Sequence, residues 1–169
     1  MSTAVDKPGK PWRAWLLALS CGFGAGGPAS AAEPLPAGST PLIQVITVER
    51  DCFGCANSSR LSLHRNGTAL LTLSGKARHG TQDQRSRARL ALPDFEALAA
   101  LLQAQGFFAM AESYDDPEMR DGAWVNWQVE RDGEVKQVFR REACGPEALA
   151  VLDAAVADLQ ARLRFNPEP

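Results

Sequence analysis

Along this chain, short stretches in which apolar and polar residues alternate with period two are followed by two longer stretches with helical spacing. Residues 42–49, Leu-Ile-Gln-Val-Ile-Thr-Val-Glu, are dense in β-branched types and predict a first strand that ends at Asp51 and a cysteine turn. The segment from Arg60 to Leu73 predicts a hairpin. A two-residue Asn66-Gly67 loop would pair Leu61 with Thr72, whereas a three-residue loop, Arg65-Asn66-Gly67 with Gly67 left-handed, pairs Leu61 with Leu71 and Leu63 with Ala69. The second register keeps one face apolar, and it is the one expected. The same rule applied to Trp127–Val135 gives a loop of Arg131-Asp132-Gly133, with Val129 opposite Val135 and Val125 opposite Phe139. Between the hairpins, residues 87–92 alternate Ala88, Leu90 and Leu92 with polar or longer neighbours, as a shorter strand does.

One helix is predicted from Pro93 to a stop at Gly106, with Phe95, Leu98, Leu101 and Leu102 on one side. A second has Gly145 and Pro146 at its entrance and a seam of Leu149, Leu152, Val156, Leu159 and Leu163. Each helix is apolar on one face only, so both should cover a sheet that is itself apolar on one face. The expected fold is α+β, a mostly antiparallel sheet of about five to six strands with two helices packed on one side.

The N-terminal region follows another pattern. Lys7, Lys10 and Arg13 precede an uncharged stretch from Ala14 to Gly27, and Ala29-Ser30-Ala31 supplies the small residues that a signal peptidase fits. Residues 1–31 therefore read as a cleavable export signal, 32–41 as a flexible leader, 42–165 as one α+β domain and 166–169 as a tail. The uncharged stretch is too short and too glycine-rich to span a bilayer, which takes roughly 20 apolar residues. A rival ending is Leu17-Ala18-Leu19-Ser20-Cys21-Gly22, similar to a bacterial lipoprotein box, which would lipidate Cys21 and anchor the product in the envelope. Cleavage after Ala31 gives a periplasmic or secreted protein instead.

At 169 residues, 45% of them hydrophobic and 22% charged, the composition is that of an ordinary globular chain. Removing residues 1–31 takes away three basic side chains and one acidic one, leaving 15 Lys+Arg and 19 Asp+Glu, a net charge of −4. That balance argues against nucleic-acid binding, and the arginines between Arg78 and Arg89 have no aromatic residues among them to stack bases.

Cys52, Cys55 and Cys144 are the clustered reactive groups, and export would place them where disulfides persist. A bridge from Cys144 to either of the pair would close a loop of about 90 residues, worth on the order of 4 to 5 kcal/mol by chain entropy. The third thiol would stay free and leaves a disulfide-linked dimer open. Redox cycling of Cys52 and Cys55 is the alternative. In thioredoxin-type proteins the pair opens a helix whose N-terminus lowers a thiol pKa, while here Ala56 to Leu63 leads into a strand. A zinc site of Cys52, Cys55, Cys144 and His64 or His79 has only one knuckle of the usual two, so no metal is expected. The acidic run from Glu112 to Asp121 lacks the spacing of a calcium loop. Beside it, Tyr114 and Trp124 are candidates for a binding surface, and Trp127 falls on the apolar face of its strand. No serine–histidine–acid arrangement, phosphate cradle or paired-carboxylate motif can be picked out, and no cofactor is implied.

From Ile46 to Leu159 the order of features resembles a family of small exported bacterial proteins, domain of unknown function 6438. The resemblance is carried by Cys52-Phe53-Gly54-Cys55, Asn66-Gly67, Phe95 and Leu98, Phe107 and Tyr114, Asp132-Gly133, and Pro146 with Leu149. The family pattern has one more residue between the cysteines and a proline after the second, whereas here Ala56 follows Cys55 directly. The resemblance implies an α+β fold and export, and it carries no activity. The sequence thus predicts a non-enzymatic exported module that binds a protein, peptide or envelope component, with a thiol-disulfide redox protein or accessory as the alternative.

Overall fold

A computed structural model describes residues 42–119 and 121–168; the expected export signal and leader, and Cys21, lie outside the described residues. The strands are β1 (Ile43–Asp51), β2 (Asn57–His64), β3 (Thr68–Gly75), β4 (Gln84–Arg89), β5 (Ser113–Tyr114), β6 (Trp124–Arg131), β7 (Glu134–Arg141) and β8 (Asn166–Pro167), and the helices are α1 (Leu92–Ala104) and α2 (Glu147–Arg162). All eight strands join one sheet in the order β5-β7-β6-β1-β2-β3-β4-β8. The expected α+β class with two helices holds, but the sheet is larger than five to six strands and is mixed, because β5 runs parallel to β7. The two additional strands have two residues each and sit at the sheet margins. Residues 166–167, expected within a tail, pair with Ser86 and Arg87 of β4.

Local chemistry explains the registers. In the first hairpin Leu61 faces Leu71 and Leu63 faces Ala69, closed by the expected three-residue loop with Gly67 at φ +89°. The second hairpin differs by one residue: Val129 faces Lys136, Val125 faces Arg140 and Trp127 faces Val138. Its loop is Asp132-Gly133 alone, with φ of +53° and +83°. Both residues tolerate the left-handed region that such tight hairpin turns require, and the two-residue loop buries Val138 instead of Val135. A bulge at Gln44 in β1 turns Ile43 and Ile46 to the same side, although they are three residues apart.

The core lies between that side of the sheet and both helices. Ile46, Val48, Leu61, Leu63, Trp127, Val129 and Val138 meet Phe95, Leu98 and Leu102 of α1 and the seam Leu149, Leu152, Val156 and Leu159 of α2. Leu101 and Leu163 complete the predicted stripes as half-buried residues. Phe107 fills the space beyond α1, its ring 6.0 Å from that of Trp127.

One ionic cluster sits inside this layer. Asp153 of α2 accepts a hydrogen bond from Trp127 Nε1 at 3.1 Å and another from Arg140 of β7, and lies 3.8 Å from Arg50 of β1. Burial pushes the pKa of Arg50 down; Asp153 raises it and the neighbouring Arg140 lowers it again. A single carboxylate therefore serves two guanidinium groups and fastens α2 to three strands.

Candidate functional site

The cysteine turn follows directly from β1. Cys52 and Cys55 are joined to each other, with Cα atoms 5.2 Å apart, and Phe53 between them is 66% exposed. The connection from β3 to β4 holds this turn from one side. Lys76 donates to the Asp51 carboxylate and to the Cys52 carbonyl at 2.9 Å. Arg78 donates to the Phe53 carbonyl and lies over the Phe53 ring, 4.7 Å from its centre. Thr81 donates to the Ala56 carbonyl at 2.7 Å. Gly75 permits the connection to turn back so tightly, since a Cβ there would fall 2.3 Å from the Thr81 carbonyl oxygen.

Cys144 is a free, half-buried thiol, so the expected long-range bridge does not form. The strand order supplies the reason. Asp51 faces Trp124, and Trp124 faces Arg141, so β6 lies between the strand that leads to Cys52 and the strand that leads to Cys144. Two strand spacings amount to roughly 10 Å, beyond the roughly 7 Å between Cα atoms that a disulfide can span. The bond that does form closes a short loop, worth about 2 kcal/mol on the chain-entropy estimate rather than 4 to 5. After Cys55 the chain enters β2 at Asn57, and no helix begins there. Among the described residues, no group of three or more His, Cys, Asp or Glu stands together as a metal site would need.

Tyr114 and Trp124 lie on opposite faces of the sheet. Tyr114 faces Arg140 and packs on the helix side, with its hydroxyl accepting from Ala111 N at 3.0 Å. Trp124 faces Arg141 on the other side, its ring 6.1 Å from Phe139. Only Trp124 thus belongs to a candidate surface. The acidic loop is tied back by Asp115, which accepts from Arg141 at 2.8 Å.

The face opposite the helices is polar, and cross-strand pairing arranges it in two rungs. One rung runs Asn126, Glu49, Arg60, Thr72, Arg85 across β6, β1, β2, β3 and β4. The neighbouring rung, toward the cysteine turn, carries Trp124, Asp51, Ser58 and Ser74. Between them lies a groove of about 330 Å³ in which Trp124 is the one apolar lining residue. Glu49 fixes the centre, accepting from Asn126 Nδ2 at 3.2 Å and pairing with Arg60 at 3.1 Å. Asp51 is engaged by Lys76 and by Cys52 N at 2.7 Å, so it links the groove to the disulfide turn. Arg85 has no carboxylate within 4.0 Å among the described residues. Sequence reasoning identified Trp124 but missed Glu49, Arg60 and Arg85, because they lie on three further strands, β1, β2 and β4, and become its neighbours only through the registers.

No protein-family model matches the chain, and no curated protein matches it in sequence. No helix among the described residues is long and apolar enough to cross a membrane.

Proposed function

We propose that the mature chain is an exported, non-enzymatic binding module that presents the open face of its sheet to a ligand and uses the Cys52–Cys55 disulfide to brace one end of that face. The observation that carries this reading is the groove between the two rungs. Glu49 at its centre is held by Asn126 and Arg60, and it has an aromatic side at Trp124, as binding sites with a few fixed polar groups do. Export rests on the order of charge, uncharged stretch and Ala29-Ser30-Ala31 at the N-terminus, and it agrees with the resemblance to the exported family carried by Cys52-Phe53-Gly54-Cys55. Partners of this class are proteins, peptides or envelope components. Cys144 is the thiol through which a covalent dimer would form.

A specific observation favours a second reading, a thiol-disulfide redox protein: the two cysteines with two residues between them are the bonded pair. Against it, the pair closes a strand-to-strand turn, without a helix N-terminus to stabilise a thiolate. The two readings separate in one experiment. The purified chain is incubated with a dithiol donor and insulin, and its own thiols are counted before and after mild reduction. A binding module leaves insulin unreduced and keeps the Cys52–Cys55 bond. Insulin reduction at thioredoxin-like rates, abolished by Cys52→Ser, would overturn the proposal in favour of the redox reading.

A further inference from the structure

Resting on that reading, we propose that the groove takes a carboxylate-bearing oligosaccharide, with Trp124 stacking on a sugar ring and Arg85 receiving the carboxylate. The chemistry of the lining selects the class. A peptide needs either an unpaired strand edge or apolar pockets for its side chains. This groove offers neither, because its floor is the middle of a sheet whose backbone groups are already paired in β1, β2, β3, β4 and β6. Its lining is hydroxyl groups, carboxylates and guanidinium groups, with a single indole. A sugar matches such a surface: its hydroxyls both donate and accept, and its C–H face lies on an aromatic ring.

Glu49, held by Asn126 and Arg60, presents acceptor oxygens at the centre of the groove, while Ser58, Thr72 and Ser74 provide groups that can do either. The two ends differ in charge. At the Trp124 end Asp51 is neutralised by Lys76. At the other end Arg85 is exposed and has no carboxylate within 4.0 Å among the described residues, which suits an acidic group on the ligand. At about 330 Å³ the groove fits a short stretch of rings rather than a single ion.

The test uses the full chain with its disulfide intact and trimers of galacturonic and of mannuronic acid, with galactotriose and an acidic hexapeptide as comparisons. Binding is followed by calorimetry and by the shift of the Trp124 indole resonance. At least one acidic trimer should bind more tightly than galactotriose and move that resonance. Trp124→Ala should weaken binding by about tenfold or more, the usual scale for losing an aromatic contact at a binding site. Arg85→Gln should bring the acidic and neutral trimers to the same affinity while both still bind. The proposal is overturned if neither acidic trimer binds, or if the preference for acid survives Arg85→Gln. Binding of galactotriose or the hexapeptide alone, with the Trp124 shift, would also overturn it while leaving the binding-module reading in place. Insulin reduction by the same preparation would remove both.

Discussion

Asp153 shows how much one side chain can carry here. It is the counter-charge for both Arg50 and Arg140 and the acceptor for the buried Trp127 indole, and it meets Arg140 through a terminal guanidinium nitrogen, while Arg140 Nε is buried without a hydrogen-bond partner among the described residues. Asp153→Asn would leave two neighbouring guanidinium groups without a carboxylate, and we expect it to cost about 3 kcal/mol, as uncompensated buried charges do. A lowered urea midpoint with an unchanged slope is the measurement. Backbone geometry gives a second contrast. Gly145 has φ of +100° and a Cβ there would lie 2.9 Å from the Tyr114 ring, whereas a Cβ on Gly54 would meet nothing within 4 Å. Gly145→Ala should destabilise by about 2 kcal/mol, and Gly54→Ala should change the thermal midpoint little. The stripes Phe95, Leu98, Leu102 and Leu149, Leu152, Val156, Leu159 could be read from spacing, because a helix repeats its buried face locally. Asp153 could not, since its partners come from β1, β6 and β7 and nothing in the flanking Leu152 and Ala154 marks it.

At the scale of elements, turn chemistry was legible where one residue decides it and failed where two compete. Gly67 alone sets the three-residue loop of the first hairpin, and the register deduced from Leu61 and Leu63 is the one observed. In the second hairpin Asp132 also adopts a positive φ, which removes one residue from the loop and shifts every pair by one. Matching Val129 with Val135 favours the wrong register; the structure leaves Val135 63% exposed and buries Val138 in the core beneath the helices. Asp132 also accepts a hydrogen bond from Leu42 N at 3.0 Å. Asp132→Ala should therefore cost about 1 to 2 kcal/mol, the price of a left-handed residue with a Cβ and no side-chain acceptor. Asp132→Asn should stay within a few tenths of the original by the tolerance of Asn for that region. Chemical denaturation of both variants checks the pair. The strands β5 and β8 had no signal at all, since two residues make no pattern and their pairing is imposed by the helices and loops that deliver them.

For the molecule as a whole, class and layer arrangement were legible because one-faced helices demand a one-faced sheet. The cysteine pairing was not, because it depends on which strand lies between two others. The groove was hidden for the same reason. The proposed export makes a prediction at this scale: intact mass should show a mature product that begins at Ala32, the residue after the Ala29-Ser30-Ala31 site, with Cys21 gone. A diacylated Cys21 at the new terminus would assign it to the lipoprotein route instead.

The place of β1 in the sheet has a consequence for how the molecule is made. This strand is the first among the described residues and one of the innermost, with β2 on one flank and β6, some eighty residues later, on the other. A ribosome that has released everything up to α1 has produced a half-sheet with its inner strand bare along one side. The last third of the polypeptide must arrive before that side closes, and pairings over such separations form slowly. A nascent chain of this design remains threadable until synthesis is nearly complete.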